Sequence, residues 1–231
     1  MTSTRLPGKV LMEAGGKPML QILIERLSRV PQLDDIIVAT TVNATDDPVA
    51  ALADTMGVKH YRGSEHDVLG RVLEAAQAHD VDIIVEMTGD NPLLDPGISS
   101  TVIDDFLRGG ADYVSNTLAP RSYPIGMDTQ VFRTKTLQDV ASRTNAPDDR
   151  EHVSLYMYSN PDTYRIRTVQ ASGSHRAPDA RLTLDTAEDY ERIRTIYEAL
   201  APENPEFGLT DILDFLKRGR SEAAALTDVG Q

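Results

Sequence analysis

Residues 82–96 read Asp-Ile-Ile-Val-Glu-Met-Thr-Gly-Asp-Asn-Pro-Leu-Leu-Asp-Pro. The run from Asp82 to Met87 is short and apolar, which predicts a buried strand. Thr88-Gly89-Asp90-Asn91-Pro92 follows as a turn-rich loop. Asp95-Pro96 then opens a helix with Ile98, Val102, Ile103 and Phe106 on one side, stopped by Gly109-Gly110. Strand, loop and helix in that order form one repeat of a parallel sheet covered by helices. Ligands of open α/β sheets bind beyond the carboxyl ends of strands, where Asp90 falls. A carboxylate there either caps a turn or holds Mg²⁺, which prefers oxygen ligands beside phosphate. The residues alone leave both readings open.

The same alternation extends to either side. Upstream, Leu20, Leu23, Ile24 and Leu27 recur at helical spacing over 18–30, and a strand follows at 36–40. A helix from 48 to 56 is opened by Asp47 and closed by Gly57, then come a strand at 58–62 and a helix at 65–79. Downstream lies a strand at 112–115, after which 117–133 reads as irregular. Helices are expected near 134–143, 149–159, 187–200 and 209–218, with strands near 165–169 and 181–184. The expected organisation is one α/β domain over 1–218, less regular over 117–170, and a flexible tail over 219–231.

Composition narrows the function classes. Of 231 residues 40 % are hydrophobic, 5 % aromatic and 26 % charged, with no Trp, so the chain carries a largely aliphatic core. A net charge of -13 argues against nucleic acid or an anionic membrane surface as partner, since both require a basic face. A nucleotide needs only a few local cations and is not excluded. With no Cys, thiolate catalysis and Cys-ligated metals are ruled out. No run approaches the roughly 20 apolar residues of a membrane span, and Met1-Thr2-Ser3-Thr4-Arg5 lacks the apolar stretch of a signal peptide, so a cytoplasmic protein is expected.

Two further clusters carry candidate chemistry. Ser3-Thr4-Arg5-Leu6-Pro7-Gly8-Lys9 gathers two hydroxyls, a glycine and two cations ahead of an apolar stretch. Such a loop can wrap phosphates through backbone N–H groups, hydroxyls and positive charge, or it can be a mobile basic terminus. In Arg181-Leu182-Thr183-Leu184-Asp185-Thr186-Ala187-Glu188-Asp189, Asp185 follows a short strand, and Thr186 with Asp189 resembles a helix-opening box. Asp185 is either a metal ligand or a helix cap.

Four segments, STRLPGKVL (3–11), RGSEHDVLGR (62–71), TGDNPLLDP (88–96) and RLTLDTAEDYERI (181–193), occur in the order seen in one family. The chain resembles the cytidylyltransferases that include CMP-KDO synthetase and acylneuraminate cytidylyltransferase. It is most similar to the spore coat polysaccharide biosynthesis protein F branch, which also shows something like RSYPIGMDTQVF (121–132) and DREHVSLYMYSNP (149–161). The resemblance spans residues 2 to about 200. It implies a Rossmann-like nucleotide-diphospho-sugar transferase fold with a mixed, mainly parallel sheet. It also implies transfer of CMP from CTP to an acidic, sugar-like acceptor with Mg²⁺, commonly by a homodimer. On this resemblance Ser3, Thr4, Arg5, Gly8 and Lys9 belong to the triphosphate loop, and Arg62, Gly63 and Ser64 approach the cytidine. Asp90 and Asp185 hold the metal, while Arg121, Tyr123, Asp128, Arg150 and His152 face the acceptor, within a region over 117–170 that the resemblance makes an acceptor or dimer contact.

The family normally places an apolar strand and an Ala-Arg turn ahead of the hydroxyl-rich loop, where this chain begins. The expectation is therefore a sheet without its first strand, broken between 36–40 and 82–87. Ile125 also stands where the branch often carries an acidic residue. Three rival readings are a phosphonate acceptor, a glycosyltransferase of related fold and a catalytically impaired nucleotide-binding protein. A glycosyltransferase would need an Asp-x-Asp after a mid-sheet strand, but Asp80-x-Asp82 precedes its strand.

Overall fold

The computed structural model describes residues 5–228. A single 3-10 turn, Lys9–Leu11, leads into a hairpin of two short strands, β1 (Glu13–Ala14) and β2 (Lys17–Pro18). Helix α1 (Met19–Leu27) follows, with seven of its nine residues buried, so it is a core helix on nearly every side.

Strand β3 (Ile37–Thr41) pairs in parallel with β4 (Lys59–Gly63), in register from Ile37 opposite Lys59 to Thr41 opposite Gly63. They are linked by α2 (Asp47–Met56), which ends at Gly57 with φ 69°. Helix α3 (Val68–Ala78) is capped by Asp67, whose Oδ1 accepts the Gly70 N–H. Strand β5 (Ile83–Glu86), helix α4 (Pro96–Leu107) and strand β6 (Tyr113–Ser115) continue the alternation.

The remaining elements are β7 (Gln130–Arg133), α5 (Thr134–Arg143), α6 (Pro147–Glu151), α7 (Leu155–Ser159), β8 (Ile166–Thr168), α8 (Ala187–Leu200) and α9 (Leu209–Asp228). The larger sheet has the order β5-β7-β6-β8. Strands β5, β6 and β8 run one way, and β7 alone runs against its neighbours.

The break expected between 36–40 and 82–87 is present among the described residues: β3 with β4 and β5 with its partners form separate sheets. Helix α1 spans the gap. Leu20 and Ile24 pack with Val38, Val49 and Val58 on the β3–β4 side, while Leu23 and Leu27 meet Leu94 and Met87 beyond β5. Its third face sends Met19 and Ile22 to a cluster with Leu182, Leu184 and Ile193. Aliphatic packing therefore carries the continuity that hydrogen bonds would supply in an unbroken sheet.

Four expectations are corrected. Residues 130–133, read as irregular, form the central strand β7, whose Val131 and Phe132 are fully buried. The helix near 149–159 is two short ones, broken where Val153 takes φ 30° and enters the core. Residues 181–184 form only an isolated parallel bridge, Arg181 with Ile125, because their backbone N–H groups divide between Ile125, which takes Leu182, and Asp90, which takes Leu184. The last helix continues past 218 to Asp228, through Glu222-Ala223-Ala224-Ala225-Leu226, a run of strong helix formers. Among the described residues, no helix is long and apolar enough to cross a membrane.

Candidate active site

Asp90 lies four residues beyond the end of β5. Thr88 Oγ1 donates to its carboxylate, and Asn91 Nδ2 in turn donates to Thr88 Oγ1 at 3.2 Å. Beyond the loop, Asp95 caps α4 through the Gly97 and Ile98 N–H groups, and its other oxygen accepts the Leu209 N–H at 2.7 Å. The loop is thus fixed between two helices, α4 and α9.

The second carboxylate reaches Asp90 through backbone bonding. The Leu184 N–H donates to the Asp90 carbonyl at 2.8 Å, and Thr183 Oγ1 donates to the same oxygen at 3.3 Å. Leu182 and Leu184 point into the core with no exposure, which fixes the register of Asp185. Thr186 and Asp189 complete a capping box on α8, and Asp189 also accepts the Asp185 N–H at 3.2 Å. Because Thr186 performs the capping, the Asp185 carboxylate is left for cations.

Three cations converge there. Lys9 Nζ bridges the two carboxylates, 3.4 Å from Asp90 Oδ2 and 3.2 Å from Asp185 Oδ1. Arg5 Nη2 donates to Asp185 Oδ1 at 3.1 Å and Arg181 Nη2 to Oδ2 at 2.7 Å. Gly8 makes this possible by taking φ 72° just before the 3-10 turn, a left-handed conformation that aims Lys9 inward. Arg181 is anchored from behind by Asp189, itself only 3 % exposed. Burial works to raise the Asp189 carboxyl, but hydrogen bonds from Arg181 and Thr186 outweigh it and hold the group below the usual range.

Lys9, Arg5, Asp90 and Asp185 are therefore brought together, although 176 residues separate Lys9 from Asp185. Ser3 and Thr4 lie outside the described residues. Arg62 is committed elsewhere: it donates to the Thr41 and Asn43 carbonyls, both at 2.8 Å, and pairs with Asp47 at 2.6 Å. Gly63 is packed under Arg71 and Tyr61, and Ser64 Oγ accepts the Asp67 N–H. These three residues build the end of β4.

Beside the Asp90 loop opens a cavity of about 500 Å³, lined by Glu86, Thr88, Asp128, Gln130, His152 and Ser154 among others. Of the residues expected to face an acceptor, Asp128 and His152 line it. Arg121 stands behind Asp128 in a two-pronged pair at 2.6 and 3.1 Å. Arg150 pairs with Asp67, and Tyr123, 5 % exposed, packs in the core with Met127 and Leu182. Arg181, Glu86 and Gln130 went unread in the sequence. Glu86 had a legible signal, being a lone carboxylate inside the apolar run from Ile83 to Met87.

A family model described as "Cytidylyltransferase" matches residues 1–206. The chain belongs to the cytidylyltransferases. It is 36 % identical over 229 residues to "Spore coat polysaccharide biosynthesis protein SpsF" of Bacillus subtilis (strain 168), covering 96 % of this chain and 93 % of that one. Among solved structures, a cytidylyltransferase from Leptospira borgpetersenii superposes with TM-score 0.89 at 32 % identity, covering 96 % and 92 % of the two chains. A CMP:2-keto-3-deoxy-manno-octonic acid synthetase complexed with CTP shares the fold, with TM-score 0.66, 20 % identity and coverage of 85 % and 94 %. A fold neighbour from Mycobacterium tuberculosis, TM-score 0.58 at 17 % identity over 84 % of this chain and 94 % of that one, is a complex with manganese. Membership makes this cytidylyltransferase a nucleotidyltransferase with an α/β, Rossmann-like fold.

Proposed function

We propose that the chain transfers CMP from CTP to an oxygen of a sugar-like acceptor seated in the cavity, in the making of a surface polysaccharide. The observation that carries this is Lys9 bridging Asp90 and Asp185 next to the cavity that Thr88 helps to line. The acceptor oxygen bonds to the α-phosphorus in line, the bond to the β-phosphate oxygen breaks, and pyrophosphate leaves with the electron pair. The acceptor's proton passes to water.

Lys9, Arg5 and Arg181 would hold the triphosphate and then the departing pyrophosphate, as positioned cations do in phosphoryl transfer. Their present partners are carboxylates, so an incoming triphosphate exchanges one set of anions for another and frees Asp90 and Asp185. Those two carboxylates fit Mg²⁺, which takes one or two carboxylates plus phosphate oxygens and waters. Among the described residues, no cluster of three or more His, Asp or Glu offers an all-protein cage. When bound, the ion would offset charge at the α-phosphate and the entering oxygen. The resemblance favours an acidic acceptor.

Pyrophosphate release in the presence of Mg²⁺, with 2-keto-3-deoxy-manno-octonic acid and other sugars as acceptors, tests this reading. CTP should outpace ATP and GTP by about 100-fold or more, because a site built for one base edge leaves buried polar groups unpaired with another. Equal turnover of purine nucleotides would overturn cytidylyl transfer. Lys9→Met should raise KM for CTP and lower kcat, together about 100-fold in kcat/KM. An unchanged kcat/KM would remove Lys9 from the triphosphate grip.

A further inference from the structure

Among the described residues, one carboxylate that lines the cavity beside the Asp90 loop, Glu86, has a buried oxygen without a hydrogen-bond partner. Glu86 ends β5, in register with Gln130 of β7. Its side chain opens partly to the cavity, while Oε2 is sealed from solvent and has no hydrogen-bond partner. Gln130 cannot help on its carbonyl side, because Oε1 already accepts hydrogen bonds from Tyr113 and Ser154. Asp128, the neighbouring carboxylate, has both oxygens held by Arg121.

A buried carboxyl oxygen without a donor cannot carry charge cheaply. The group must then keep its proton or find a donor in the ligand. We propose that Glu86 is the residue by which the cavity recognises its acceptor, donating a hydrogen bond from a neutral carboxyl to an acceptor oxygen. This inference rests on the cavity being the acceptor subsite proposed above. It assigns the acceptor class as oxygen-rich, a hydroxylated or carboxylated sugar, in preference to an ammonium-bearing one.

Two arrangements of charge support it. Desolvation raises the Glu86 carboxyl to about 8, well above the ordinary value of about 4.3 for a glutamate, so the proton is retained at neutral pH and lost as pH rises through about 8. The groups around the cavity reinforce that. From β6 comes Tyr113, pushed up to about 12 by burial first, and from α7 Tyr158, also raised by burial. Thr88 follows β5, Glu151 and His152 stand at the end of α6, and Asp128 precedes β7. No Lys or Arg is among the described lining residues to draw the proton off.

The sign of the pH dependence separates the two acceptor classes. A neutral Glu86 donating to an oxygen weakens its hold above about pH 8, as the proton leaves. A Glu86 that pairs with an ammonium strengthens its hold over the same interval.

The test uses the full chain with Mg²⁺ and CTP. It compares wild type, Glu86→Gln and Glu86→Ala across pH 6.5–9.5, with 2-keto-3-deoxy-manno-octonic acid, a neutral hexose and glucosamine as probes. Binding is read by calorimetry and transfer by pyrophosphate release. For wild type, KM or Kd for an oxygen-rich probe should rise about tenfold from pH 7 to pH 9, the expected slope of one ionisation. Glu86→Gln, whose amide cannot ionise, should flatten that limb, and Glu86→Ala should weaken the probe about tenfold or more at pH 7 with CTP affinity unchanged.

The melting temperature gives a second, ligand-free reading. A raised carboxyl makes the folded state bind the extra proton between the ordinary value and about 8, so wild-type stability falls with rising pH over that window. Glu86→Gln should therefore melt several degrees above wild type at pH 9 and close to it at pH 5.

The proposal is overturned if Glu86→Gln loses the oxygen-rich probes as Ala does, or if both variants bind like wild type. Glucosamine binding that tightens with pH, or no saturable binding of any oxygen-rich probe to wild type, also overturns it. Intact CTP binding and slow CTP hydrolysis in those cases would leave the cytidylyl reading standing, whereas loss of both would count against that reading instead.

Discussion

Replacing Asp185 by asparagine is expected to lower kcat for CMP transfer by about 1,000-fold while leaving the affinity for CTP unchanged or tighter. The split follows from the charges around the group. Asp185 accepts from Arg5, Lys9 and Arg181, all of which a triphosphate would claim. Removing the carboxylate's charge leaves those cations less satisfied before CTP arrives, so binding does not suffer. What is lost is one of two oxygen donors that would hold Mg²⁺ against the reacting phosphate.

The fold should tolerate the change at a cost of about 1–2 kcal/mol. Asparagine keeps the shape, Arg181 retains Asp189, Lys9 retains Asp90, and the helix cap belongs to Thr186. Steady-state kinetics beside a thermal melt checks this. A kcat within tenfold of wild type would remove Asp185 from the chemistry. A kcat loss that tracks unfolding would make it a structural residue instead.

How far this site could be read from residues alone depended on the range of each interaction. Helix α2 is legible because its closing glycine is local, and Gly57 indeed takes φ 69°. The box of Thr186 with Asp189 is local too, and it forms as the spacing expects. Helices α5 and α8 match their expected spans of 134–143 and 187–200 for the same reason, a strong period within one element.

Strand β7 was missed because nothing near it in the chain announces it. Gln130-Val131-Phe132-Arg133 lacks alternation, and its partners at 83–86 and 113–115 are fixed only by folding. Two neighbouring apolar residues of β7, buried between two strands, look like any short apolar run. The carboxylate pair shows the same limit from the chemical side. Local chemistry left Asp90 and Asp185 undecided between capping and ligation, and family resemblance chose ligation. The geometry adds a reason, since the Leu184 N–H and the Thr183 hydroxyl tie one loop to the other and Thr186 takes over the cap. Arg62, expected on the family resemblance to approach the cytidine, donates to the Thr41 and Asn43 carbonyls, partners that its place in the sequence did not announce.

The same tie between loops yields the largest expected effect on stability, at a residue with no side chain. Gly126 has φ 103°, and a Cβ added there would stand 2.5 Å from the Leu182 carbonyl carbon and 2.8 Å from the Thr183 nitrogen. These are backbone atoms, which cannot swing aside as a flexible side chain can. They belong to the bridge in which the Leu182 N–H donates to the Ile125 carbonyl at 2.7 Å and the Ile125 N–H to the Ala180 carbonyl at 3.1 Å. Gly126→Ala is expected to destabilise the protein by about 3–5 kcal/mol, the sum of a strained backbone and a forced parting of the two segments.

Gly57→Ala is the matched control. It also carries a positive φ, of 69°, but a Cβ there meets nothing within 4 Å, so only the conformational strain of about 1–2 kcal/mol applies. The difference between the two variants in urea unfolding isolates the clash. Because residues 183–185 follow directly from the displaced backbone, Gly126→Ala should also lower CTP turnover by about 100-fold at a temperature where it remains folded, since a misplacement near 1 Å costs that much. Gly57→Ala, at the far end of α2, should leave turnover unchanged. Equal destabilisation by the two alanines would show that the 125–127 segment gives way freely, and the placement of Asp185 would then have to come from the Asp90 carbonyl and the α8 cap alone.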